Sequence, residues 1–479
     1  MQETCVNTAW TLVISAVLSL SMAGCGATTT TEPPAVDSQR SGSSLETFGP
    51  KYNDSKPILS ADGTHIVFIS GRDSTDQAVA LKIYKADWPQ GGDPTSPTRV
   101  TSGDDLGFEQ EAALSQDGQW VALVAAKDGQ TDLYLQDYAG TKSPVRVTND
   151  AAVESHPTFS PDAKLIAWVS RAADTGLSSV QLVALGDGSA AALAQQFTVT
   201  TADEDVRQVF WVPTGNSSYE LATGAGAGAL TYSLRTFSAA DQATQATRTD
   251  WLKDLLVQTT IAPVAASANV VLVRKDLSSE RVLSTKVGDA VDAPSSMLVQ
   301  TEPVFAVPGT STVTRFSDPP GYETLGAAMA SDGKTAFLVT QQVYKCVGDA
   351  SDSYGAALVL APSDVSAPTR LSPRLAADGT SFELVQGYCD RKRADGTVGR
   401  IDDKIADLAL NAQATQTKYR LAYVTRFTTK FDENCALKSA DPEIMVVDVD
   451  GDKKVIKPLS LNRAPVTDAG RGGQAACHL

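Results

Sequence analysis

Glu111 and Asp407 are the acids in this chain that could work as proton donor and acceptor on a glycosidic or peptide bond. They share a register with Lys56, His156 and Gln208: each of these residues stands four places before a turn serine, or before the residue that replaces it. Side chains alternate along a strand, so a shared register sends them to one side, where they are expected to line a polar channel mouth. A hydrated channel wall is the plainer use of the same side chains. No Gly-x-Ser-x-Gly nucleophile elbow occurs, and no stretch of α/β pattern remains to house a hydrolase domain. The histidines His65, His156 and His478 fall short of the several ligands that a metal in the channel would need. Asp448-Val449-Asp450-Gly451-Asp452 begins like a calcium loop, but its glycine is misplaced and no distal glutamate follows, so a hairpin turn is expected. No catalytic residue, metal or cofactor is therefore expected. A non-enzymatic binding or scaffolding role leads, and a glycan lyase or hydrolase using channel-facing carboxylates is the alternative.

The cysteines add a constraint of another kind. Cys346, Cys389, Cys435 and Cys477 all lie in the last third of the chain. In an exported protein they read as two disulfides with three possible connectivities. Sequence proximity favours Cys346 with Cys389 and Cys435 with Cys477. No Cys-x-x-Cys spacing points to zinc.

The elements that must position these residues are short hairpins. Ser155-His156-Pro157-Thr158-Phe159 reads as a strand, Ser160-Pro161-Asp162-Ala163 as a tight turn, and Leu165 to Val169 as a second strand. Proline presets φ at a turn corner and aspartate bonds its own backbone just beyond, so the turn is chemically specified. The same unit recurs at Ser60-Ala61-Asp62-Gly63, at Ser115-Gln116-Asp117-Gly118 and at Ser331-Asp332-Gly333. Behind the early copies come a third strand (Leu81 to Tyr84, Asp132 to Leu135, Val180 to Val183) and a fourth ending Arg99-Val100-Thr101, Arg146-Val147-Thr148 or Thr198-Val199-Thr200. Four short strands per repeat, at a spacing of about 45 to 55 residues, is the pattern of a propeller blade.

Phe159-Ser160-Pro161-Asp162, the strand after it and the Arg-Val-Thr endings resemble the repeat of TolB-like β-propellers. The resemblance covers the first three repeats and the region from Met329 to Ser372. It implies an all-β chain, a single propeller, and a channel mouth that captures a partner segment: an envelope protein, a peptide or a glycan. Repeats near Arg207 and Ile261 lack the turn aspartate, and an insertion at 373–403 delays the last. Seven four-stranded blades are expected, with six or eight open.

At the other end, residues 9–24 form an apolar run too short for a membrane span and suited to a signal peptide. Met22-Ala23-Gly24-Cys25 resembles the bacterial lipobox, which implies that Cys25 is lipidated and that the protein is an outer-membrane lipoprotein facing the periplasm or the cell surface. The expected divisions are a signal peptide at 1–24, a lipidated cysteine and disordered tether at 25–50, the propeller at 51–465 and a tail at 466–479. The formal net charge of -16 repels phosphate backbones and anionic head groups, which excludes nucleic acid as a partner and leaves the lipid as the membrane contact. A monomer is expected.

Overall fold

The computed structural model describes residues 54–74, 80–101, 106–190, 192–200, 204–215, 218–226, 230–236, 247–255, 270–275, 282–283, 297–298, 301–307, 310, 312–316, 321, 323–329, 335–344, 353–362, 364–366, 368–375, 382–385, 391–392, 398–399, 404–410, 418–431, 437–450 and 459–460. Among them the only helical turn is the 3₁₀ segment Ala192–Ala194.

The turns show why the strands begin and end where they do. Ser60 Oγ donates to Asp62 Oδ1 at 2.6 Å and accepts the His65 N–H at 3.0 Å, while Asp62 takes the Thr64 N–H. Ser115 with Asp117, and Ser160 with Asp162, repeat these bonds. The last turn residue is left-handed: Gly63 at φ 70°, Gly118 at 72° and Ala163 at 58°. Two repeats therefore place glycine where the backbone requires it, and the third tolerates alanine at some cost. The copy at 331–334 lies outside the described residues.

Antiparallel sheets of consecutive strands follow from these hairpins. The first blade is Ser55–Leu59, His65–Ser70, Lys82–Asp87 and Thr98–Arg99. The second is Phe108–Leu114, Trp120–Lys127, Gln130–Asp137 and Val145–Arg146. The third is Val153–Phe159, Leu165–Arg171, Ser178–Ala184 and Gln196–Thr198, joined to the second by one parallel bridge, Thr131 to Val153. The fourth runs Val206–Gly215, Ser218–Ala225, Leu230–Thr236 and Thr247–Leu255. Later sheets are less regular. One pairs Val270–Lys275 with Thr301–Ala306 and Val313–Arg315; the next extends from Glu323–Met329 to a fifth strand, Phe382–Val385, inside the expected insertion. The final sheet is Lys404–Leu410, Lys418–Phe431, Leu437–Asp450 and Leu459–Ser460.

Each sheet packs on its successor, and the final sheet packs on the first. No single sheet of this size could hide both faces, whereas a ring of them does, so the chain is an all-β propeller. The core is correspondingly a set of inter-sheet layers. Val67, Ile69 and Ile83 meet Leu114, Val121 and Leu123; Ala122, Val124 and Leu133 meet Phe159, Ile166 and Trp168. The threonine of the repeat ending serves the next strand inward. Thr148 Oγ1 accepts the Leu133 N–H, and Thr200 Oγ1 accepts the Val180 N–H, both at 2.9 Å. The valines beside them are buried.

Ring closure joins the ends of the described chain. Leu59, Phe68, Tyr84 and Trp88 form one buried cluster with Ala422, Val424, Ile444 and Val446. Arg420 reaches across, donating to the carbonyls of Gly63, Trp88 and Pro89 at 2.8, 2.6 and 3.0 Å and stacking 3.9 Å above the Trp88 ring. Its Nε also donates to Asp448 Oδ1, which places that acid on a strand facing an arginine.

Candidate functional site

The first strand of a blade is bulged at a recurring place. One residue too many lies between Ser55 and Ile58, between Glu109 and Glu111, between Ser155 and Thr158, between Val206 and Gln208, between Thr324 and Gly326, and between Ala406 and Leu408. Bulges bend a strand and re-aim side chains. Lys56 and His156, each followed by proline, sit there with left-handed backbones, at φ 49° and 51°. Such strain costs on the order of 1–3 kcal/mol per residue and points to a constrained local job.

Two of the register-sharing residues are brought into contact. Glu111 Oε2 accepts the backbone N–H of His156 at 2.5 Å, so the carboxylate of the second blade holds the strained bulge of the third. Lys56 is exposed, Glu111 and His156 are half-buried, and Nδ1 of His156 is buried without a hydrogen-bond partner. Gln208 departs from the expected mouth. It is 8% exposed and its Oε1 accepts the hydroxyl of Tyr232, which belongs to the layer between the fourth sheet and the next. The bulge at Arg207 matches the one at Gln110 before Glu111, so it does not by itself set Gln208 apart; the bond to Tyr232 in the neighbouring layer does. Asp407 is itself the extra residue of its strand. The described structure thus unites Glu111 and His156, leaves Lys56 at an equivalent place, and turns Gln208 inward. Cys25, Cys346, Cys389, Cys435 and Cys477 lie outside the described residues, as do the proposed signal, tether and tail.

A second row of acids was missed by sequence reasoning. Asp54, Glu109 and Glu154 each stand six places before a turn serine and are 0%, 0% and 2% exposed. Asp54 accepts a two-pronged Arg72 guanidinium at 2.9 and 3.2 Å. Glu109 accepts the Ile83 N–H at 2.6 Å and the Thr101 hydroxyl at 2.7 Å, with Arg99 at 3.5 Å and Lys82 at 4.0 Å. Glu154 accepts the Ser170 hydroxyl at 3.2 Å; its Oε2 has no well-formed bond, and the nearby Trp168 indole N–H supplies the other favourable contact to the carboxylate. Burial, followed by the negative charge of Asp150, pushes the Glu154 carboxyl up to about 8. The signal was available in the sequence, since the spacing matches that of the turn motif.

Among the described residues, no group of three or more histidine, cysteine, aspartate or glutamate side chains is arranged to hold a metal ion. No helix among them is long and apolar enough to cross a membrane. Glu111 is instead engaged with a backbone donor, which suits holding a surface in shape.

No family model and no curated protein matches the sequence. Solved structures similar to the chain include propellers and TolB proteins. The β-propeller domain of the Trilobed protease from Pyrococcus furiosus is 7% identical, with a TM-score of 0.48 over 87% of this chain and 100% of that one. An acylaminoacyl peptidase from Pyrococcus horikoshii is 10% identical, with a TM-score of 0.46 over 88% of this chain. The chain spans 54% of that enzyme's length. A putative TolB from Agrobacterium tumefaciens is 15% identical, with a TM-score of 0.36 over 56% of this chain and 81% of that one.

Proposed function

We propose that this protein is a lipid-anchored, non-enzymatic propeller of the cell envelope, monomeric and seven-bladed, that captures an envelope protein, peptide or glycan at its channel mouth. The observation that carries the reading is the bulged row of innermost strands, where Lys56 and His156 are held in strained left-handed conformations and Glu111 ties one bulge to its neighbour. Strain repeated at equivalent places on one scaffold favours a shaped contact surface. Glu111 already accepts a backbone N–H at 2.5 Å, which uses the acid in structure rather than in proton transfer.

Seven blades count the sheets that begin at residues 55, 108, 153, 206, 270, 323 and 404 as one blade each. The Met22-Ala23-Gly24-Cys25 pattern supports lipidation at Cys25, and the proline- and serine-rich stretch behind it supports a tether. The surplus of acids supports a partner without a phosphate backbone.

Capture from envelope extract by the form starting after Cys25 tests the reading. The wild-type protein should retain a discrete partner that Lys56→Ala with His156→Ala loses while melting within a few degrees of wild type. Equal retention by both proteins would remove the mouth from the mechanism. Labelled fatty acid should enter the full chain and not its Cys25→Ala variant.

A further inference from the structure

The seams on either side of the second blade are built alike but charged differently. At the first seam Glu109 faces Lys82, Arg99 and Thr101 of the blade before it. At the second, Glu154 stands near Asp132, and the residues matching Arg99 and Thr101, Arg146 and Thr148, both bond to Asp132. Lys82 and Asp132 correspond in register, since Lys82 pairs with Ser70 and Asp132 with Ala125 at matching depths of their hairpins. One seam therefore sets a buried acid among cations. The next sets two buried acids, Asp132 at 2% exposure and Glu154 at 2%, with one arginine, bonded to Asp132.

That arginine is already committed, with Arg146 Nη2 lying 2.5 Å from Asp132 Oδ2. The other charged or titratable groups about Glu154 do not neutralise it. Asp150 in the preceding loop adds negative charge; Glu111 bonds the His156 backbone; Arg171 pairs with Val153 at the sheet end and donates to the Gly176 carbonyl. Glu154 Oε2 and Trp168 Nε1 are both buried without a well-formed hydrogen bond, the neutral indole N–H being near enough to favour the carboxylate but carrying no charge to neutralise it. Val153, next to Glu154, is 49% exposed and meets the second blade through one parallel bridge.

We propose that the seam between the second and third blades is a proton-dependent joint, closed while the Glu154 carboxyl is neutral and loosened when that proton leaves. A neutral carboxyl needs no cation, which accounts for Arg146 bonding Asp132 and Gln130 and not Glu154. Ionised Glu154 is a second buried negative charge with no counter-ion, and the strands Gln130–Asp137 and Val153–Phe159 separate to admit water. Burial beside Asp150 places the transition near pH 8.

Infrared difference spectra and hydrogen exchange on the soluble form test the joint. Wild type minus Glu154→Gln at pH 6 should show the C=O stretch of a protonated carboxyl, which disappears above pH 9. Exchange at amides 131–135 and 153–156, corrected for intrinsic rate, should rise about tenfold between pH 7 and 9 in wild type and stay flat in Glu154→Gln. The joint is overturned if the band is absent at pH 6, or if Glu154→Gln keeps the same rise. Should that variant fail to fold, the wild type still decides: band loss and exchange rise must share one midpoint, and separate midpoints overturn the proposal.

Discussion

The two faces of the second blade show how far a repeated motif governs a repeated structure. Both seams use a buried acid on an innermost strand, a buried threonine at the end of the previous blade and an apolar layer between. They differ in how the acid is bonded and at one register-matched pair, Lys82 against Asp132, which sets whether the buried acid has a cation or another acid beside it. Packing is set by the repeat. Electrostatics follows the positions that the repeat leaves free, Lys82 against Asp132 among them.

Substitutions can break or sharpen this contrast. The largest effect is expected at the well-paired seam. Glu109→Ala leaves the Ile83 N–H, Thr101, Arg99 and Lys82 without their common acceptor. Urea unfolding at pH 7 should show a loss of about 3–5 kcal/mol. At the other seam the sign reverses. A glutamate whose folded-state value is raised to about 8, against an ordinary 4.5, favours folding fully below pH 4.5. That contribution is lost as pH rises from 4.5 to 8 and stays lost above. Glu154→Gln should therefore match wild type near pH 4 and be more stable by about 2–4 kcal/mol at pH 9, read from unfolding midpoints across pH.

Smaller changes probe the turns that present the same blades. Gly118→Ala puts a Cβ at φ 72° and 2.4 Å from Cδ2 of His65, a side chain already fixed by Asp87 at 2.9 Å. A destabilisation of about 1–2 kcal/mol is expected in thermal melts. Ala163→Gly relieves a left-handed alanine at φ 58° in the equivalent turn and should stabilise by about 0.5–1 kcal/mol. Opposite signs at matched positions would show that the turns are interchangeable in geometry and differ only in residue choice.

Much of the scaffold was legible because its signals are local. Ser-x-Asp-Gly fixes a turn through bonds within a few residues, and the strands on either side follow from alternation, so the first three blades emerge near the expected positions. The site was less legible for one physical reason. A bulge costs a single residue and leaves no composition signal, yet it re-aims the side chains of every first strand, and whether Gln208 then meets Tyr232 depends on a residue 24 places away. The row Asp54, Glu109 and Glu154 had the same periodicity as the turns. Its meaning required knowing which cation stood across the seam, and that partner comes from a different blade. Closure by Arg420 was illegible for the same reason, since nothing local marks a residue whose acceptors lie at Gly63 and Trp88.

That closure also sets an order of events during synthesis. Trp88 and the apolar face around Phe68 find their cover only when the segment from Arg420 to Val446 has been made, more than three hundred residues later. Until then the earliest blade carries an uncovered greasy flank, the kind of surface that sticks to other chains and invites chaperones. Contacts this distant along the chain also make the last folding step slow. A chain cut short before Arg420 would leave the oldest part of the molecule as the part most prone to clump.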